Sequence, residues 1–114
     1  MALNSAALVA AATAVNTSIT FMQLHSAAPN AGYTTNQVGA RVAVTGTVSG
    51  SGVITWSTVA FTGLPASSPV THISYWSAST GGTNYGGDAL TGDLAANASG
   101  SYTVSTVTET GSAS

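Results

Sequence analysis

The residues of this chain that could do chemistry are two histidines, three acidic residues and sixteen serines. A hydrolytic triad would have to combine a serine with His25 or His72 and with Asp88 or Asp93. The chain has no G-x-S-x-G motif to expose a nucleophile at a sharp turn. His72 lies in the middle of an apolar strand pattern, which is typical of a hydrogen-bonded structural histidine. The sequence therefore predicts no catalytic residues and no enzyme.

Metal binding would draw on the same few side chains. The chain has no cysteine, and its histidines show neither H-x-H nor H-x-x-x-H spacing. Asp88 and Asp93 flank Ala-Leu-Thr-Gly, which does not match a calcium loop. Aspartates next to glycine in turns usually bond to their own backbone. We therefore expect no metal site and no cofactor.

Aromatic side chains could instead form a platform for sugar rings; the candidates are Trp56, Tyr75, Trp76, Tyr85 and Tyr102. A domain poor in leucine and isoleucine also needs such rings for its core. Tyr75 and Trp76 are adjacent, so they face opposite sides of a strand. Either one of them points away from the core, or both faces of that sheet are covered.

The charge content excludes several classes of partner. Charged residues make up 4% of the 114 residues, and they comprise one arginine, two aspartates, one glutamate and no lysine. One arginine cannot neutralise several phosphates, so we expect no nucleic-acid binding. No basic cluster is present to attract anionic lipid, and the apolar run 8–15 is too short to span a bilayer. That run also lacks the positive region of a signal peptide, so we expect synthesis in the cytoplasm.

These side chains must be positioned by one N-terminal helix and a β domain. Residues 4–17 are rich in alanine, with Asn4 or Ser5 as the cap, and they place Leu8, Ala11 or Ala12, and Val15 on one apolar stripe. We assign residues 1–18 to this helical segment, 19–110 to the β domain and 111–114 to a C-terminal tail.

Strand patterns separated by turn residues fill the β domain. They are predicted at 19–25, 41–49, 53–63, 70–78, 83–90, in a short Leu-Ala-Ala piece, and at 101–109, with a loop over 26–37. In the third of these strands, Val59 and Phe61 are expected on the face opposite Trp56. The fold class is mainly β: a short N-terminal helix followed by an antiparallel β-sandwich or barrel of about seven strands.

The near absence of charge favours assembly. Monomeric sheet proteins protect their strand edges with lysine, proline, bulges or inward-pointing charges. Apart from Asp88, the charged residues in the predicted strands are only Arg41 at a margin and Glu109 near an end. The sequence thus predicts self-association through neutral faces rich in serine, threonine and glycine.

Several segments resemble a family of small virion proteins of actinobacterial tailed phages, variously described as head decoration, minor tail or tail-fibre-like proteins. They are MALNSAALVAAATAV, ITFMQLHSAAPNAG, VAFTGLPASSPVTHISYWSASTGGTNYGG, ALTGDL and YTVSTVTETGSAS, which together cover nearly the whole chain. The most specific are THISYWSASTGGT and the following GDL. The resemblance implies a virion component without catalytic residues, and decoration proteins of this kind usually act as trimers.

The predicted function is therefore a non-enzymatic structural subunit of the virion that decorates the capsid and binds the major capsid protein as an oligomer, most simply a trimer. The host cytoplasm is where it would be made. The alternative is a minor tail or tail-tip protein that binds host-surface glycan, for which an exposed Trp56 or Trp76 would be the distinguishing feature. The candidate interface comprises the helix, the 26–40 loop, the tail and these residues: Leu3, Leu8, Val15, Tyr33, Arg41 and Trp76.

Overall fold

A computed structural model describes residues 4–110 of the chain. It contains α1 (Ser5–Ser18) followed by β1 (Phe21–His25), β2 (Gln37–Ala43), β3 (Thr47–Val48), β4 (Val53–Phe61), β5 (His72–Trp76), β6 (Asn84–Ala89) and β7 (Tyr102–Thr110). The strands form one antiparallel sheet of order β2-β1-β5-β6 and another of order β3-β4-β7. The predicted fold class, mainly β with one short N-terminal helix, is confirmed, and the two sheets do not close into a barrel.

The helix begins at the cap that the sequence predicts and packs against the β domain through part of its apolar stripe. Asn4 is the N-cap, and its side chain accepts a hydrogen bond of 3.0 Å from the backbone N–H of Ala7. Of the predicted apolar stripe, Ala12 is buried, Leu8 is half-buried and Val15 is 42% exposed. The helix lies so close to the β3–β4 turn that a Cβ on Gly52 would come within 2.9 Å of the Leu8 backbone. Part of the stripe is therefore left open at the surface. No helix in the described part of the chain is long and apolar enough to span a membrane.

The core lies between the two sheets, where Trp56 of β4 stacks on Tyr75 of β5 with ring centroids 5.9 Å apart. The expectation that Val59 and Phe61 oppose Trp56 was wrong, because all three side chains are buried in this core. Thr58 has a positive φ of 21°, and both Ser57 and Thr58 are exposed, so the buried face of β4 switches at this point. The same switch occurs in β7, where Val104 and then Val107 pack on the core, and the pairing register with β4 is unchanged.

Three differences from the sequence prediction are larger than one or two residues at a strand end. β2 begins at Gln37, at the end of the predicted 26–37 loop, and the predicted strand 41–49 is divided between β2 and β3. The division falls where the side-chain amide of Asn16 donates to the Gly46 carbonyl and fastens the helix to the chain. The predicted Leu-Ala-Ala strand is reduced to one bridge between Pro69 and Ala95. The predicted tail, 111–114, and the candidate Leu3 lie outside the described residues.

Candidate functional site

A chain of hydrogen bonds crosses the outer face of the four-stranded sheet. His25 Nδ1 lies 2.9 Å from the Thr35 carbonyl, which can only accept, so Nδ1 carries the proton. Nε2 of His25 then accepts from Ser74 Oγ at 2.7 Å, and Ser74 Oγ in turn accepts from Trp76 Nε1 at 2.8 Å. The ring nitrogens of His25 and Trp76 and the hydroxyl of Ser74 thus all have hydrogen-bond partners.

The contact between His25 and Ser74 has the distance of a nucleophile–base pair. Both residues are 0% exposed, however, and Ser74 Oγ is already bonded to two neighbours. Burial lowers the pKa of His25, the Thr35 hydrogen bond raises it, and His72 lowers it further. The imidazole is therefore neutral at neutral pH, and the pair fastens the 26–36 loop to the sheet.

Arg41 and Trp76, two of the predicted interface residues, lie together. The guanidinium of Arg41 sits 3.8 Å from the centroid of the Trp76 ring, and its Nη1 donates to the carbonyls of Ala78 and Gly81, each at 2.8 Å. Trp76 is 4% exposed, so its ring is covered within the chain and Arg41 forms the surface above it. Tyr75 is also buried, so both faces of the β5 strand are covered. Of the two arrangements that the adjacent Tyr75 and Trp76 allowed, this is the one in which neither ring is left exposed.

Tyr33 also packs inward. It adopts a positive φ of 57°, its hydroxyl donates to the Gly87 carbonyl at 3.3 Å, and its ring meets His25 edge-on at 5.9 Å. A Cβ on Gly87 would lie 2.5 Å from the Tyr33 ring, so this glycine is required for the approach. Tyr33 is half-buried, and its contact residue Gly87 lines the same cavity as Leu8 and Val15.

A groove lies between β6 and β7, which we call the edge groove. It consists of two cavities of about 520 Å³ and 400 Å³ whose walls share Tyr75, Asp88 and Glu109. The larger cavity, the polar half, is lined mainly by β7 and the 88–93 segment. The smaller cavity, the apolar half, is lined by side chains from the helix, β4 and β6, among them Leu8, Ala12, Val15, Ile19, Ile54 and Tyr85. Leu8 and Val15, both predicted interface residues, thus line one cavity.

A pair of carboxyl groups stands where the two halves of the edge groove meet. The Tyr75 hydroxyl donates to Asp88 Oδ2 at 2.5 Å, and the side chains of Asp88 and Glu109 are hydrogen-bonded to each other, which requires a shared proton. Burial and then the bond to Asp88 raise the pKa of Glu109 to about 7, while the bond to Glu109 holds the pKa of Asp88 below its usual value. Burial is the main cause of the raised pKa of Tyr75.

All three acidic residues of the chain line the polar half of the edge groove, since Asp93 joins Asp88 and Glu109 there. The only cation, Arg41, belongs to β2 at the opposite margin of the four-stranded sheet. The groove is therefore negative, although no three metal-binding side chains come together within residues 4–110. Its chemistry suits a cationic group that can meet two carboxylates and apolar walls at once.

The carboxyl pair escaped the sequence analysis because its members are 21 residues apart and on different sheets. One signal was present: Glu109 follows Val107 by two residues and so shares its inward face. An acidic residue at an inward position of a strand needs a partner.

The strand edges differ in how they are protected. β2 and β6 each carry a register shift, a bulge that discourages pairing with another chain. β7 pairs with β4 in constant register over nine residues, and its other edge has no strand partner within the described range. β7 contains no lysine and no proline, and its one charge, Glu109, is bonded to Asp88. β3, the other edge of the three-stranded sheet, is only two residues long, so β7 is the one long edge strand without such protection in the described range.

Comparison with known proteins found no matching family model, no matching curated protein and no matching solved structure. The phage-virion interpretation thus depends on the segments quoted above and stays a prediction.

Proposed function

We propose that this protein is a non-enzymatic structural subunit of a phage virion, a decoration protein that binds the major capsid protein as an oligomer, most simply a trimer. The observation that carries the proposal is the unprotected β7 edge. Along this nine-residue strand, alternate residues direct backbone N–H and C=O groups to the edge without a strand partner, which makes it a template for another protein strand.

The charges of the chain support the same proposal, because none of them guards this edge. Arg41 is stacked on Trp76, Asp88 and Glu109 are bonded to each other, and Asp93 Oδ1 accepts from the backbone N–H of Ala95 at 3.2 Å. Outside the edge groove, the surface that remains is neutral. Contacts made by such a surface change little with salt, and many weak ones add up on a repetitive lattice.

The alternative function, glycan binding at a tail tip, lacks its distinguishing feature. Trp56 and Trp76 are 1% and 4% exposed, so neither ring offers a flat face to a sugar. Tyr85, at 43% exposed, remains as an accessible ring, but it forms one wall of the edge groove.

The test is co-sedimentation of the purified protein with empty heads and, separately, with isolated tails. A Thr106→Lys variant places a charge in the middle of the β7 edge, at an exposed position. An Ala10→Lys variant adds the same charge to the exposed side of the helix and is the matched control. We expect the wild type and the control to sediment with heads, and the β7 variant to remain in the supernatant.

Enrichment on tails alone, or equal binding of all three proteins to heads, would contradict the proposal. Self-association is measured separately, by size exclusion with light scattering at micromolar concentration. A measured mass of 11.1 kDa, that of a single chain, would contradict the proposed oligomer.

A further inference from the structure

The apolar half of the edge groove is an accessible apolar surface. Two of the three large hydrophobic side chains that are most exposed, Val15 at 42% and Tyr85 at 43%, line the same cavity of about 400 Å³. Leu8, Ile19 and Ile54 extend these walls. Apolar side chains gathered around one cavity are typical of a binding site and not of a random surface.

The end of this cavity is acidic. Asp88 and Glu109 lie in its wall, with Tyr75 beside them, and Asp93 lies farther along the polar half of the groove. The helix contributes no ionisable side chain over Ser5–Ser18, and the part of β4 that lines the cavity, Ile54, contributes none either. The two carboxyl groups share a proton, and no lysine or arginine among residues 4–110 lines either half of the groove. An ammonium or guanidinium group placed there can replace the proton and pair with both carboxylates.

We propose that the edge groove docks an extended segment of a partner protein that presents a lysine or arginine side chain with apolar residues two positions away on either side, on the same face of the segment. The cation meets Asp88 and Glu109, the apolar residues pack against Val15 and Tyr85, and the backbone runs along the free edge of β7. The inference rests on the proposed function and gives the chemistry of the capsid segment that the subunit would bind.

A second copy of this chain does not supply such a segment. The chain has no lysine and one arginine, and Arg41 already stacks on Trp76 and donates to two carbonyls. Moving Arg41 into a neighbouring groove would break all of these contacts. The charge of the groove thus selects a different protein as the occupant.

Proton linkage gives the docking a pH dependence. A cation binds the ionised pair, and the pKa of Glu109 is raised to about 7, so binding releases the shared proton. With that pKa, the fraction of ionised Glu109 falls about 30-fold between about pH 8 and about pH 5.5. The affinity for a cationic segment falls by up to the same factor, because Asp88 stays ionised over this range and still attracts the cation.

The direct test is a titration of the isotope-labelled protein, followed by amide NMR, with the blocked peptide acetyl-Leu-Thr-Lys-Thr-Leu-amide, which places the lysine and both leucines on one face of an extended strand. The control peptide has glutamate in place of lysine. We expect saturable shifts at Tyr85, Asp88 and Glu109 with the lysine peptide in the millimolar range, weaker binding at about pH 5.5 than at about pH 8 by up to about 30-fold, and no saturation with the control.

Variants locate the site. Asp88→Asn with Glu109→Gln removes the charges, and Val15→Ser removes an exposed apolar wall, so both proteins should fold. Asp93→Asn removes one charge from the exposed turn outside the apolar half and is the matched control. We expect at least a tenfold loss of peptide affinity in the first two proteins and less than a twofold change in the control.

Shifts centred on Arg41, equal response to both peptides, no saturation, or unchanged affinity in the groove variants would overturn the proposal. Shifts of the groove amides on simple dilution of the protein would assign the groove to a second copy and overturn it as well. In co-sedimentation, groove variants that bind heads as well as the wild type contradict the docking proposal alone. A wild type that binds no heads contradicts the proposed function, and the peptide titration then decides on the groove by itself.

Discussion

Replacing Glu109 by glutamine should stabilise the protein at alkaline pH. Folding raises the pKa of Glu109 from 4.5 to about 7, so the folded state holds a proton that the unfolded state has lost. The stability associated with that proton is present below about pH 4.5 and is lost as the pH rises to about 7. At 1.36 kcal/mol per pKa unit, the full loss would be about 3.4 kcal/mol.

Solvent screening at this half-buried site reduces the expected loss to about 1–2 kcal/mol. The lowered pKa of Asp88 lies below this pH window and does not offset the loss within it. Glutamine keeps the size of Glu109, and its amide N–H can donate to Asp88 in place of the shared proton. We therefore expect Glu109→Gln to raise the free energy of unfolding by about 1–2 kcal/mol at about pH 8 and to change it little at about pH 4.5.

Urea unfolding, followed by tryptophan fluorescence at the two pH values, measures this difference. Asp93→Asn removes one negative charge from the same groove and should shift the free energy by less than about 0.5 kcal/mol at either pH. A Glu109→Gln protein that is no more stable than the wild type at about pH 8, or a difference independent of pH, would refute the reasoning.

Three further changes test the packing. Gly52→Ala should lower the free energy of unfolding by about 1–3 kcal/mol in urea titrations, because Gly52 has a φ of 83° and its Cβ would strike the helix backbone. Gly50→Ala, with open space around it, should cost less than about 1 kcal/mol, and equal losses in the two variants would contradict the close approach of helix and turn. Ser74→Ala should cost about 2–4 kcal/mol by the same measurement, since it leaves the buried ring nitrogens His25 Nε2 and Trp76 Nε1 unpaired. The exposed Ser57→Ala should be near neutral, and a Ser74→Ala protein as stable as the wild type would refute the hydrogen-bond chain. Arg41→Lys keeps the charge but loses the planar stacking and the paired carbonyl bonds, so thermal unfolding should show a loss of about 1 kcal/mol, and an unchanged midpoint would show that the stacking contributes nothing.

The fold class could be predicted because its signals are local. Asn4 before an alanine-rich run indicates where the helix begins, and the glycine-containing turn at 50–52 indicates the β3–β4 hairpin. The switch of the buried face at Thr58 has no such signal. It depends on a matching irregularity in β7, at a distance of 47 residues along the chain, where Thr58 Oγ1 donates to the Ser105 carbonyl.

The site was predicted only in part for a related reason. Leu8 and Val15 could be placed on one helix face from their spacing, and that face does line a groove. The burial of Trp76 could not be inferred, because it depends on Arg41 and the 78–81 turn closing over the ring from another strand. Pairing across the two sheets, as between Asp88 and Glu109, is a property of tertiary packing and not of sequence spacing.

The central claim is that a neutral subunit binds a capsid through the free edge of β7. Electron cryo-microscopy of heads assembled with and without this protein tests it most directly. We predict additional density on the head surface, with the β7 edge and the edge groove turned toward the major capsid subunit. Density confined to the tail, or a head-bound subunit whose β7 edge faces solvent, would contradict the account.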